Sequence, residues 1–156
     1  MHVYADTNFF TALFCAGPNE SEALRLDAFA EEKGAPGYPV TLICRLEFVN
    51  ALQQSVYSTR HGVPGITITP QHAMTVEALF FEQLSIGKSL RHAVINSERL
   101  LERQFQDLSH RYTAKEGFRA YDILHVSSAL ALGCDTFWSF DAKAKTLAKL
   151  AGLAVN

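Results

Sequence analysis

Short apolar runs alternate with longer stretches of helical periodicity along this chain, and that alternation narrows the folds open to it. Residues 2–5, Pro39-Val40-Thr41-Leu42 and Phe137-Trp138-Ser139-Phe140 are long enough only for short buried strands. Helices are expected over about 7–16, 20–33, 43–60, 70–87, 89–114, 121–132 and 142–151. Leu46, Val49, Leu52 and Val56 recur near the 3.6-residue period in the third of these. Asn19-x-x-Glu22 reads as a capping box opening the second, with Leu24 and Phe29 on its apolar side and Gly34 as its stop. Thr69-Pro70 pairs a cap with a first-turn proline. Pro64-Gly65 reads as a turn and Ile66-Thr67-Ile68 as a short extended segment. Short strands separated by helices imply a three-layer α/β/α sandwich with a short, mostly parallel central sheet.

With no repeat, linker or low-complexity tract, residues 1–156 read as one domain. No run approaches the ~18 apolar residues of a membrane span, and Met1-His2-Val3 lacks the charged start of a signal peptide. A cytoplasmic location and no membrane partner are the corresponding expectations. Cys15, Cys44 and Cys134 are odd in number and widely spaced, as buried free thiols in a reducing compartment would be.

Four acids stand where an interior or a tight turn normally excludes charge. Asp6 ends Val3-Tyr4-Ala5, Glu47 interrupts Leu46-Glu47-Phe48-Val49, Asp122 precedes Ile123-Leu124, and Asp141 closes the last apolar run. Desolvating a carboxylate costs several kcal/mol unless it is paired or metal-bound. Parallel sheets bind ligands beyond the carboxyl ends of their strands. Asp6 and Asp141 follow strands at that end, Asp122 falls in the first turn of its helix and Glu47 one turn into the helix after the second strand, so all four can converge on one edge. Helix capping or surface charge is the competing explanation for any one of them.

Charge is unevenly distributed. Residues 1–87 carry 4 basic and 9 acidic side chains, a net of −5, whereas residues 88–156 carry 10 and 7, a net of +3. Neutralising the four acids changes the total from −2 to +2, which tolerates a polyanionic substrate without requiring one.

The order and context of these acids resemble the PIN domain of metal-dependent ribonucleases. The matching pieces are Asp6-Thr7-Asn8, Glu47 in Leu46-Glu47-Phe48-Val49-Asn50-Ala51-Leu52, Asp122 in the segment Arg119 to Ala129, and Asp141 in Ser139-Phe140-Asp141. Asp122-Ile-Leu-His-Val with Phe137-Trp-Ser-Phe-Asp looks most like the VapC-type toxins of bacterial toxin–antitoxin pairs. Many members carry threonine where this chain has Ser139, which keeps the hydroxyl. The resemblance implies a PIN-like fold, endonucleolytic RNA hydrolysis leaving 5′-phosphate and 3′-hydroxyl ends, a VapB-like antitoxin partner and a homodimer.

The residue types agree with that chemistry. Hard oxygen donors select Mg²⁺ or Mn²⁺, and a dication can activate water and stabilise an in-line phosphoryl displacement. Asp6, Asp122 and Asp141 are the expected metal ligands, and Glu47 the residue orienting water. Thr7, Asn8 and Ser139 are expected to fix carboxylate rotamers by hydrogen bonding, or else to serve as ordinary caps. Arg45, Arg119, Lys143 and Lys145 are candidate RNA contacts, with plain solvated charge as the alternative. His125, one turn after Asp122, is expected as a packed core histidine. Phe9-Phe10 and Phe80-Phe81 are core unless exposed, in which case they offer a surface for a partner. A noncatalytic PIN-like module binding RNA or protein is the rival reading of the whole chain.

Overall fold

The computed structural model describes residues 1–64 and 67–156. The turn expected at Pro64-Gly65 and the extended segment from Ile66 fall on residues 65 and 66, outside the described residues.

Three strands form the sheet that carries the site. β1 (Val3–Ala5) pairs with β4 (Thr136–Trp138), and β4 pairs with β5 (Ala154–Val155), all parallel. The register sets Val3 opposite Thr136, Tyr4 opposite Phe137 and Ala5 opposite Trp138. Because strand side chains alternate faces, Val3, Ala5 and Trp138 enter one core and Tyr4 and Phe137 the other. The sheet is therefore buried on both faces, which is why these strands read as unbroken apolar runs. β2 (Tyr38–Val40) lies beside β1 and pairs in parallel with β3 (Leu90–His92).

The helices are α1 (Thr7–Phe14), α2 (Glu20–Glu32), α3 (Leu42–Arg60), α4 (Pro70–Ile86), α5 (Glu98–Leu108), α6 (Ala114–Glu116), α7 (Ala120–Ala131) and α8 (Ala142–Leu150). The result is a mixed α/β protein. Phe9, Phe10, Phe48 and Phe80 are fully buried in the first core, where Phe48 and Phe80 stack with centroids 4.1 Å apart. Ile123, Val126 and Leu147 fill the second against Phe137. No helix among the described residues is long and apolar enough to cross a membrane. All three cysteines are buried and free.

Local signals hold well at helix ends. Thr69 accepts from His72 N–H with Pro70 in the first turn, and Gly87 closes α4 at φ 72°. Four expectations fail. Residues 89–114 are not one helix: Leu90-Arg91-His92 pairs with the edge of β2, and α5 starts only after Ser97, whose hydroxyl caps Leu100. Ser109–Thr113 then winds as a π-helix before α6. Long-range sheet pairing here overrides local helical compatibility.

On α2, Leu24 and Phe29 face solvent, and the buried side is Ala23, Leu26 and Ala30, whose two alanines admit close packing on α1. Asn19 makes no side-chain capping hydrogen bond, and the Glu22 carboxylate accepts from Arg25 rather than reaching back to the Asn19 N–H. On α3 the inward row is Cys44, Phe48, Leu52 and Val56, leaving Leu46 64% exposed.

β2 depends on one glycine. Gly37 has φ +63°, and a Cβ there would sit 2.3 Å from the Lys88 carbonyl oxygen. Only glycine allows the chain entering β2 to approach the start of β3 so closely.

Candidate functional site

Each acid is placed by the local structure around it. β1 runs into Asp6, whose N–H donates to the Trp138 carbonyl and whose Oδ1 caps α1 by accepting from Phe9 N–H at 3.1 Å. Asp141 follows β4 and caps α8, its Oδ1 accepting from Lys143 and Ala144 N–H at 2.7 and 3.1 Å. Asp122, in the first turn of α7, accepts from the Arg119 N–H at 3.1 Å. Capping is thus real for three of the four acids, and in each it engages one carboxylate oxygen while fixing the rotamer of the other.

A cleft of about 550 Å³ opens at the carboxyl ends of β1 and β4. Asp6, Glu47, Asp122 and His125 line it, with Thr7, Asn8, Asn50 and Gln54 among the polar wall residues and Leu46 and Tyr121 among the apolar ones. Asp141 does not line the cleft but is joined to it through Arg119, whose Nη2 donates to Asp122 Oδ1 at 3.0 Å and to Asp141 Oδ2 at 2.8 Å. The four acids therefore gather on one side of the molecule.

Their electrostatics differ. Asp6 is 4% exposed, and burial pushes its carboxyl up to about 6 against the opposing influence of His125, Ser139 and the Phe9 N–H. It makes no ion pair among the described residues. For Glu47, burial is the largest influence and acts upward. The hydrogen bond and charge of His125, with the Thr7 hydroxyl, outweigh it and hold the carboxyl below its ordinary value. Asp141 also lies below its ordinary value, with burial opposed by the N–H groups of Ala144 and Lys143 and by Arg119. Arg119 is raised in turn by its bonds to Asp122.

The supporting residues divide cleanly. Thr7 donates to Glu47 Oε2 at 2.6 Å. Asn8 Oδ1 accepts from Phe140 N–H at 2.7 Å and from the Ser139 hydroxyl at 3.3 Å, and Ser139 Oγ accepts from Asp141 N–H at 2.9 Å. Asn8 and Ser139 thus shape the loop that presents Asp141 rather than touching its carboxylate.

His125 is packed in the interior, as expected, and both of its ring nitrogens are engaged. It is 4% exposed, yet Nε2 bonds Glu47 Oε2 at 2.5 Å and Nδ1 meets the Tyr4 hydroxyl at 2.9 Å. An ionised carboxylate only accepts, so Nε2 is the donor to Glu47, while Nδ1 and the Tyr4 hydroxyl share the second hydrogen bond. Thr41 completes the row, 3.3 Å from the Tyr4 hydroxyl and capping Cys44 N–H. Tyr4, Thr41 and His125 were not identified as site residues from the sequence. The one available signal was the helical spacing that puts His125 on the same face as Asp122.

The basic candidates fare unevenly. Arg119 lines the cleft. The Lys143 ammonium is held by the carbonyls of Gly117 at 3.1 Å and Glu116 at 3.5 Å, bracing the loop before Arg119. Arg45 and Lys145 do not line the cleft; Lys145 instead acts on Glu22 of α2.

Among the described residues, no three acidic, histidine or cysteine side chains form a ready-made metal-binding group. The donors nonetheless suit a hard cation in kind: carboxylate oxygens, that of Asp6 buried and in no direct ion pair among the described residues. Fold and site together define a mixed α/β protein with an acidic cleft at the carboxyl edge of a parallel sheet. No family model matches the chain, and no curated protein matches it in sequence.

Proposed function

We propose that this protein is a Mg²⁺- or Mn²⁺-dependent endoribonuclease with a PIN-like three-layer α/β/α architecture, acting as the toxin of a VapBC-type pair. The observation that carries this reading is Asp6: a buried carboxylate with no direct ion pair among the described residues, on a cleft shared with Glu47 and Asp122. The order and spacing of the four acids support it further.

Asp6, Asp122 and Asp141 are the residues that would hold the cation, and a bound cation would supply charge neutralisation at the phosphoryl oxygens and a more acidic water. Glu47 is the residue that positions the attacking water. Both of its described contacts fall on Oε2, from Thr7 and His125, which leaves Oε1 to accept a hydrogen from the attacking water. As the water oxygen bonds to phosphorus, the bond from phosphorus to the 3′-oxygen breaks. The water proton passes to Glu47, and the 3′-oxygen takes one from solvent, leaving 5′-phosphate and 3′-hydroxyl ends. Tyr121, exposed at the cleft, offers an aromatic face on which an unpaired base can stack.

Two exposed apolar sets suit the protein partners of this reading, a VapB-like antitoxin and a second copy of the chain. Met74, Leu79, Phe81 and Ile86 lie on α4, and Leu24 and Phe29 on α2. Phe9, Phe10 and Phe80 are core; only Phe81 of those aromatic pairs is exposed. A cytoplasmic location is part of the same proposal.

The test is cleavage of structured RNA in Mg²⁺, in EDTA, and in Mg²⁺ with Asp6→Asn. Cleavage in the first condition alone is expected. Equal cleavage in all three defeats the metal mechanism, and RNA binding without cleavage in any would favour a noncatalytic module.

A further inference from the structure

Arg119 makes contacts that a metal site would not be expected to keep. Its Nε and Nη2 reach Asp122 Oδ2 and Oδ1 at 3.1 and 3.0 Å, and Nη2 reaches Asp141 Oδ2 at 2.8 Å. Asp141 Oδ1 is meanwhile taken by the α8 cap. Every oxygen of these two carboxylates therefore has a donor, and three of the four have the same guanidinium. A hard dication coordinates through those lone pairs.

We infer that Arg119 is the resident counter-ion of the Asp122–Asp141 pair, and that a divalent cation binds there only as this guanidinium withdraws. The inference rests on the metal-dependent reading above. Two further observations support it. The Arg119 side chain is 66% exposed while Asp122 is 7% exposed, so the guanidinium can swing into solvent without disturbing the core. The Arg119 N–H also bonds Asp122 Oδ2 independently, so the first turn of α7 stays capped when the side chain leaves. The planar fork spans both acids at once, which a single ammonium does not match. Without a cation between them the two carboxylates repel. The guanidinium relieves that repulsion in the metal-free protein, and the dication relieves it in the loaded one.

The experiment is calorimetric titration of Mn²⁺ into the metal-free full chain, comparing wild type with Arg119→Gln and Arg119→Lys. Arg119→Gln is expected to bind Mn²⁺ about 5- to 150-fold more tightly, the usual span of coupling between two competing interactions. Arg119→Lys is expected to fall between the two. Without metal, Arg119→Gln should melt below wild type, and saturating Mn²⁺ should raise its melting temperature by the larger increment. Should Arg119→Gln not fold, Arg119→Lys carries the same comparison. Equal or weaker Mn²⁺ binding by the variants overturns the inference and leaves the metal-dependent reading standing. No Mn²⁺ binding by wild type or variants overturns both.

Discussion

Replacing Asp6 by Asn separates what this carboxylate costs the fold from what it contributes to function. The Asn side chain keeps the Oδ1 acceptor, so the cap on Phe9 N–H survives and the volume is unchanged. What is lost is a buried charge. Burial raises the Asp6 carboxyl from 3.8 to about 6, and a displacement of that size corresponds to about 3 kcal/mol between its two protonation states. Because the folded-state value is raised, wild type is favoured by this group only where it is protonated. That advantage is full below about pH 4 and is lost as the pH rises through about 6. Asp6→Asn has no such loss. In EDTA its melting temperature should match wild type near pH 4 and exceed it by roughly 6–12 °C at pH 8, taking about 2–4 °C per kcal/mol for a chain of this size. RNA cleavage should meanwhile disappear, a trade of activity for stability. Thermal melts from pH 4 to 8 decide it. A stability difference that does not grow with pH would refute the account of Asp6 as a buried charge whose desolvation outweighs its partners.

Three further outcomes are expected. Asn8→Ala removes the acceptor for Phe140 N–H and the Ser139 hydroxyl, so urea denaturation should show a loss of about 1–3 kcal/mol, with cleavage reduced because the Asp141 loop loosens. His125→Ala removes the strongest influence holding Glu47 below its ordinary value; the acid limb of the cleavage–pH profile should move to higher pH, and an unmoved limb would exclude Glu47 as the group it reports. Gly37→Ala combines φ +63° with a Cβ 2.3 Å from the Lys88 carbonyl oxygen, whereas Gly87→Ala shares the positive φ but meets nothing within 4 Å. Denaturation should find Gly37→Ala the more damaging by at least about 1–3 kcal/mol.

Much of the site is legible because its parts are local. Asp6 and Asp141 follow buried strands and cap the next helix, and both features lie within a few residues of the acid. Leu90-Arg91-His92 was misread as helix because its strand character comes from β2, some 50 residues away, and nothing in the segment itself announces that partner. Leu24 and Leu46 were misjudged for a related reason: a helix wheel shows an apolar side but not which neighbour it meets.

The amino-acid order by itself determined the alternation of short strands and helices, the cap at Thr69, and the acids that end the buried runs. Periodicity and capping act over about four residues, so a linear reading reaches them. Only the tertiary structure decided that Glu47 is shared by Thr7 and His125, which lie 40 and 78 residues away, and that Arg119 bridges Asp122 and Asp141. Hydrogen bonds and ion pairs form over about 3 Å through space, and packing the helices against the sheet is what brings those side chains within reach.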